Sequence, residues 1–196
     1  MTENPLKRPS GSEAALSEQE LLELLRSKDP AAQRRFYERY VGSLAAVCYR
    51  YVPEPAAAKD VLQESFIKIF GSLDRFVYRG EGSLRAWSTR IVVNTAIKSL
   101  RGRTRFTSMD ELPELADEPE MPLVERVPPE VIQGFIKALP DGYRTVFNLF
   151  VFEEKSHREI AGLLGIKEDS SASQLARARA VLARQINAYL KEHETE

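Results

Sequence analysis

The chain is poor in residues that carry chemistry of their own. It holds one cysteine, Cys48, and two histidines, His157 and His193, among 196 residues. A single thiol rules out an internal disulfide. Its setting, LAAVCYRYV, predicts a packed side chain rather than a redox sensor. The histidines are far apart and have no cysteine cluster beside them, so no zinc site is expected. Neither a phosphate-binding glycine loop nor a nucleophile–base pair is readable, and no enzyme activity, metal or cofactor is expected. No apolar run reaches the roughly 18 residues that would span a bilayer. Residues 1–16, MTENPLKRPSGSEAAL, lack a signal-like apolar core and read as disordered. A cytoplasmic chain without membrane insertion is expected. Alternating strand patterns of useful length are missing as well.

What is present is apolar residues at helical spacing and a polarised charge pattern. Hydrophobic residues make up 43% and charged residues 29% of the chain, and the net charge is only −1. That balance hides two blocks. Residues 74–106 carry eight bases against two acids, and residues 107–130 carry eight acids against one base. The spacing predicts helices near 17–27, 30–51, 55–73, 83–102, 128–138, 141–153, 157–164 and 168–190. The segment 107–127 contains Pro113, Pro119 and Pro122 with no periodicity, and reads as an extended, self-repelling linker. The fold expected is all-α: a helical domain over 17–106 and a second over 128–191, joined by that acidic tether.

Three helical segments carry information. In 55–73, Leu62, Phe66, Ile69 and Leu73 form a core stripe. Asp60, Gln63, Glu64 and Ile67 gather on the other side. An isoleucine within a polar face is either an incidental exposed side chain or part of a partner surface. In 83–102, Ser83 is the expected N-cap. Leu84, Ser88, Val92, Val93, Thr95, Ala96, Ile97 and Leu100 cover most of the circumference, so the helix should be largely buried. One strip of about 80° differs, holding Trp87, Arg90, Asn94, Lys98 and Arg101. Cations for phosphates, an indole for stacking and an amide for a base edge suit single-stranded nucleic acid. The competing account is a tryptophan packed on arginine stems. Arg79 lies in the glycine-bearing loop before this helix.

The third segment is the pair 157–164 and 168–190. Ser156 and Glu159 make a capping box. Ile160, Ala161, Leu163 and Leu164 give the first helix its core face, and Gly165 gives a tight turn, as a helix-turn-helix requires. In the second helix Leu175, Ala178, Leu182 and Ile186 are expected inward. Ser173, Arg177, Ala180 and Arg184 are expected outward, with Ser170 and Gln174 at the edge. Such a face can enter a major groove, or it can be an ordinary basic surface.

At this point the chain resembles the extracytoplasmic-function sigma factors of bacterial RNA polymerase over nearly its full length. Asp60-Val-Leu-Gln-Glu64-Ser-Phe-Ile-Lys is similar to their polymerase-binding segment. Arg79-Gly-Glu-Gly-Ser-Leu-Arg-Ala-Trp87 through Arg90-Ile-Val-Val-Asn94-Thr-Ala is similar to their segment for the −10 promoter element. Leu139-Pro-Asp-Gly-Tyr-Arg, Ser156-His-Arg-Glu-Ile-Ala-Gly-Leu-Leu-Gly-Ile166 and Ser173-Gln-Leu-Ala-Arg-Ala-Arg179 are similar to their −35-reading domain. The resemblance implies that Asp60, Gln63, Glu64 and Ile67 dock on the clamp helices of core RNA polymerase. It implies that Asn94 and the 76–83 loop hold a flipped base, with Trp87, Arg79, Arg90, Lys98 and Arg101 aiding strand separation and binding phosphates. Ser170, Ser173, Gln174 and Arg177 are implied at the −35 element, with Arg179 and Arg184 nearer phosphate. Promoter DNA, core RNA polymerase and an anti-sigma factor are the implied partners, and the acidic linker is implied to thread the polymerase channel.

The chain departs from the family pattern at Ala172 and Ala176, where larger or basic residues are common. It departs also at Lys167, where a capping serine is usual, and at Val77 and Tyr78, which lengthen the base-recognition loop. A different class also fits residues 139–185: a stand-alone helix-turn-helix regulator with a helical dimerisation domain.

Overall fold

The computed structural model describes residues 16–103 and 124–193. Its α-helices are α1 (Glu18–Arg26), α2 (Pro30–Tyr51), α3 (Pro55–Ser72), α4 (Ser83–Arg103), α5 (Pro129–Ala138), α6 (Asp141–Val151), α7 (His157–Leu164) and α8 (Glu168–His193), with short 3-10 turns at Leu73–Arg75 and Val124–Arg126. No strand occurs among the described residues. Most of the expected linker, and residues 1–15 of the expected disordered N-terminus, lie outside the described residues.

Local chemistry sets the helix starts. Ser17 and Glu20 form a reciprocal capping box on α1. Asp29 accepts from the Ala31 amide ahead of α2, and Glu54 accepts from the amides of Ala56 and Ala57 ahead of α3. Proline occupies the first turn of α2, α3 and α5, where its missing N–H leaves no helical bond unmade. Helix α7 ends at Gly165 in the left-handed region, φ 70°. Its N–H donates to Ala161 O at 2.8 Å.

The α7 cap responds to acid. Glu159 accepts from the Ser156 amide and hydroxyl, each at 2.9 Å, and from Lys155 Nζ at 3.2 Å. The Ser156 backbone bond, then the Ser156 hydroxyl and Lys155, hold its carboxyl down at about 2, below the ordinary 4.5. A carboxylate depressed in the folded state stabilises fully above its unfolded value and loses that contribution as the pH falls through its folded one. The Tm advantage of the native chain over Glu159→Gln should therefore be complete above pH 4.5 and vanish as the pH approaches about 2. Thermal unfolding across that window measures it.

Helix α2 is the axis of the first half. Ala32, Phe36, Tyr40, Leu44, Cys48 and Tyr51 form its buried stripe, at spacings of four and three residues. It packs against α3 and α4, while α1 covers one end. Cys48 is fully buried, as its setting predicts, and burial pushes its thiol up to about 11. In the second half α8 lies against α5, α6 and α7.

The halves also touch, which the expectation of two tethered domains did not include. Val146, Leu149, Ile160, Leu164 and Leu175 belong to the same buried cluster as the cores of α2–α4. Polar bonds cross the contact. Asn148 Nδ2 donates to Arg50 O at 2.7 Å and Arg144 Nη2 to Tyr51 O at 3.2 Å. Both acceptors lie in the last turn of α2, where carbonyls have no partner within the helix. Donors from α6 thus cap α2.

Candidate nucleic-acid and polymerase interfaces

Asp60, Gln63, Glu64 and Ile67 are all exposed on one side of α3, and Ile67 is 73% exposed. The opposite side buries Ala57, Ala58, Val61, Ser65, Phe66 and Ile69. Leu62, expected in the core stripe, is only half-buried. It lines a groove of about 380 Å³ with Tyr37, Val41, Gln63 and Phe66. Tyr37 packs on Phe66 with ring centroids 5.0 Å apart, yet stays 49% exposed. Glu64 pairs with Lys68 at 2.8 Å, and that hydrogen bond lowers its carboxyl pKa.

Helix α4 is buried around most of its girth. Leu84, Ser88, Val92, Val93, Thr95, Ala96, Ile97 and Leu100 are all enclosed, as expected. Arg90, Asn94, Lys98 and Arg101 are exposed, and so is Arg79 in the preceding loop. Trp87 is half-buried on Phe76, ring centroids 4.9 Å apart. Ring-on-ring packing supports the indole. Arg101 is already engaged within the chain, since its Nε donates to Leu164 O at 3.3 Å beside the helix-turn-helix turn.

The start of α4 differs from expectation. Ser83 lies inside the helix, and its hydroxyl donates back to Gly80 O at 2.6 Å. The capping carboxylate comes from Glu18, which accepts from the amides of Leu84 at 3.0 Å and Arg85 at 3.4 Å. Glu18 belongs to no motif of the sequence. The available signal was its place in the Leu21, Leu22 and Leu25 stripe of α1, where a carboxylate is out of keeping with burial.

Helix α8 presents a different face from the expected one. Leu175, Ala178, Leu182 and Ile186 are buried as expected, but so are Ser170, Gln174 and Ala180. Ser170 and Gln174 therefore present no surface to DNA in this structure. The first half of α8 packs against both α6 and α7, which widens its buried sector past the edge of a single stripe. The outward side there carries Ala172, Ala176 and Arg179, with Ser173 and Arg177 half-exposed, and Arg184 is exposed farther along. Arg179 lies over the Phe150 ring, 5.6 Å from its centroid. The two alanines singled out as departures thus occupy the middle of the exposed face. Among the described residues, no group of three or more His, Cys, Asp or Glu side chains could hold a metal ion. No helix there is long and apolar enough to cross a membrane.

Two family models match the chain: Sigma-70 region 2 over residues 36–106 and Sigma-70 region 4 over residues 130–182. The ECF RNA polymerase sigma-E factor of Escherichia coli is 28% identical over 190 residues, spanning 90% of this chain and 97% of that protein. The RNA polymerase sigma-H factor of Pseudomonas aeruginosa is 27% identical over 188 residues, 89% of this chain and 96% of its own. Among solved structures, the sigma factor RpoE in complex with the anti-sigma factor NepR from Bartonella quintana aligns with a TM-score of 0.47 at 18% identity, over 79% of this chain and 96% of that one.

A helical half bearing a cationic strip, followed by a helix-turn-helix half, is the makeup of a transcription initiation factor. The chain belongs to the extracytoplasmic-function sigma factors. It is not an enzyme; it binds core RNA polymerase and directs it to promoters. The stand-alone regulator is set aside, because region 2 accounts for the helices that reading assigned to dimerisation.

Proposed function

We propose that the first half binds core polymerase through Asp60, Gln63, Glu64 and Ile67 and reads the −10 element through α4, while α8 reads the −35 element. The observation that carries this reading is the strip Arg90, Asn94, Lys98 and Arg101, exposed along a helix whose other side buries Leu84, Ser88, Val92, Ala96 and Leu100. A buried helix that keeps cations and one amide in water offers them to something outside the chain. Trp87 and Arg79 stand at its leading end. The polymerase face is supported by Ile67, 73% exposed beside Asp60, Gln63 and Glu64 on the same side of α3, and by the groove that Tyr37, Leu62 and Phe66 line along that helix. On α8 the accessible candidates are Ser173, Arg177, Arg179 and Arg184; Ser170 and Gln174 would take part only if the helix-turn-helix repacked. The proposed domain limits are 17–106 and 128–191, with the acidic linker between them in the polymerase channel. A cytoplasmic location and an anti-sigma partner that covers the same faces belong to this reading.

Base contacts specify and phosphate contacts position. Asn94→Ala should relax preference at one −10 position by about 1–3 kcal/mol. Lys98→Ala should weaken promoter binding on every sequence alike and lower the salt slope by about one, whereas Arg101→Ala would also remove the bond to Leu164 O. Transcription from a promoter library, run with Asn94→Ala and Lys98→Ala at two salt concentrations, checks this. An unchanged −10 preference for Asn94→Ala would refute the base-reading role.

A further inference from the structure

Glu18 is a carboxylate only 2% exposed, and no contact to polymerase or DNA is assigned to it. Its Oε2 accepts from the Leu84 amide at 3.0 Å, and its Oε1 accepts from the Arg85 amide at 3.4 Å and the Tyr40 hydroxyl at 2.7 Å. The other two amides of the first turn are also satisfied: Ser83 N donates to Gly80 O and Ala86 N to Gly82 O. The N-terminus of α4 attracts an anion by its free amides and its dipole. That place is taken by a side chain from α1, so it is not a phosphate site.

The same residue reaches the loop before α4. The Glu18 amide donates to Glu81 Oε2 at 3.2 Å. Arg39 of α2 donates to Glu81 Oε1 at 2.9 Å and to Leu16 O at 2.7 Å. Gly80 and Gly82 have φ of 112° and 88°, backbone that L side chains rarely adopt. Glu81, between them, ties this otherwise permissive segment to α1 and α2.

We propose that Glu18 is a positioning residue for −10 recognition: it fixes the first turn of α4 and, through Glu81, the loop that carries Arg79. The inference rests on the assignment of α4 and its loop to the −10 element. Trp87, Arg90 and Asn94 follow within three turns of the held end, so loosening that end misplaces the strip relative to a bound base. A charge buried at the helix start does this without touching DNA.

The test uses the full chain with core polymerase on promoters carrying every single-base change in the −10 and −35 elements. Glu18→Ala and Glu81→Ala should reduce discrimination at −10 by roughly tenfold, the scale of one good base contact. Glu18→Gln, which keeps one acceptor oxygen, should fall between Glu18→Ala and the native chain. Discrimination at −35 and affinity for core polymerase should stay at native values, which a general loss of folding would not allow. If Glu18→Ala does not fold, Glu81→Ala decides, since its side chain is exposed. Native −10 discrimination in the variants that bind core, while Asn94→Ala loses it, would overturn the proposal. If Asn94→Ala also keeps native discrimination, the assignment of α4 itself falls, and the role of Glu18 with it.

Discussion

Arg144→Met should cost about 3–5 kcal/mol of folding stability, since it strands three backbone carbonyls at about 1–3 kcal/mol for each one left unpaired. The guanidinium is 4% exposed. Its Nη1 donates to Leu139 O at 2.7 Å and Lys137 O at 3.2 Å, and its Nη2 to Tyr51 O at 3.2 Å and to the Asp141 carboxylate. Tyr51 O ends α2, and Lys137 O and Leu139 O end α5. One side chain therefore satisfies the terminal carbonyls of two helices, where a cation also complements the helix dipole. Methionine fills much of the same volume but donates nothing, so the loss reports stranded carbonyls rather than a void. Urea unfolding followed by circular dichroism measures it; a loss below about 1 kcal/mol would show that water replaces the guanidinium. The sequence placed Arg144 only within a family string, with no role.

Phe36→Ala should cost a similar amount, about 3–5 kcal/mol, by a different route. The ring is fully buried at the centre of the first half. Tyr40 lies 4.9 Å away between centroids, Phe70 5.5 Å and Phe66 6.3 Å. Helices α2 and α3 hold these four rings together, so the cavity cannot close without moving both. Phe36→Leu keeps most of the volume and should lose much less. If the alanine and leucine variants unfold at the same urea concentration, packing around this ring is not what secures α2 to α3. Against a total stability of roughly 5–15 kcal/mol, either large loss would leave little margin.

The helices were legible because their signals are local. Apolar residues at helical spacing mark the segments, and the Ser156 box and Gly165 bound α7 within a few residues. The α3 face and the α4 strip were legible because charged and amide side chains recur at helical spacing along one side of each helix. Long-range effects were not. The cap on α4 comes from Glu18, 66 residues earlier, and a local reading gave that task to Ser83. The α8 face was misread because Leu175, Ala178, Leu182 and Ile186 mark only the middle of its buried sector. The neighbours α6 and α7 enclose Ser170 and Gln174 as well. The contact between the halves was invisible, since side-chain donors from α6 there meet backbone carbonyls, which every residue possesses.

This chain turns core RNA polymerase into a promoter-selective enzyme. Purified protein added to bacterial core polymerase, with the 5′ ends of all transcripts sequenced, tests it most directly. The protein should co-elute with core, and starts should cluster downstream of one shared two-part sequence. Failure to associate, or association with starts no different from core alone, would contradict it.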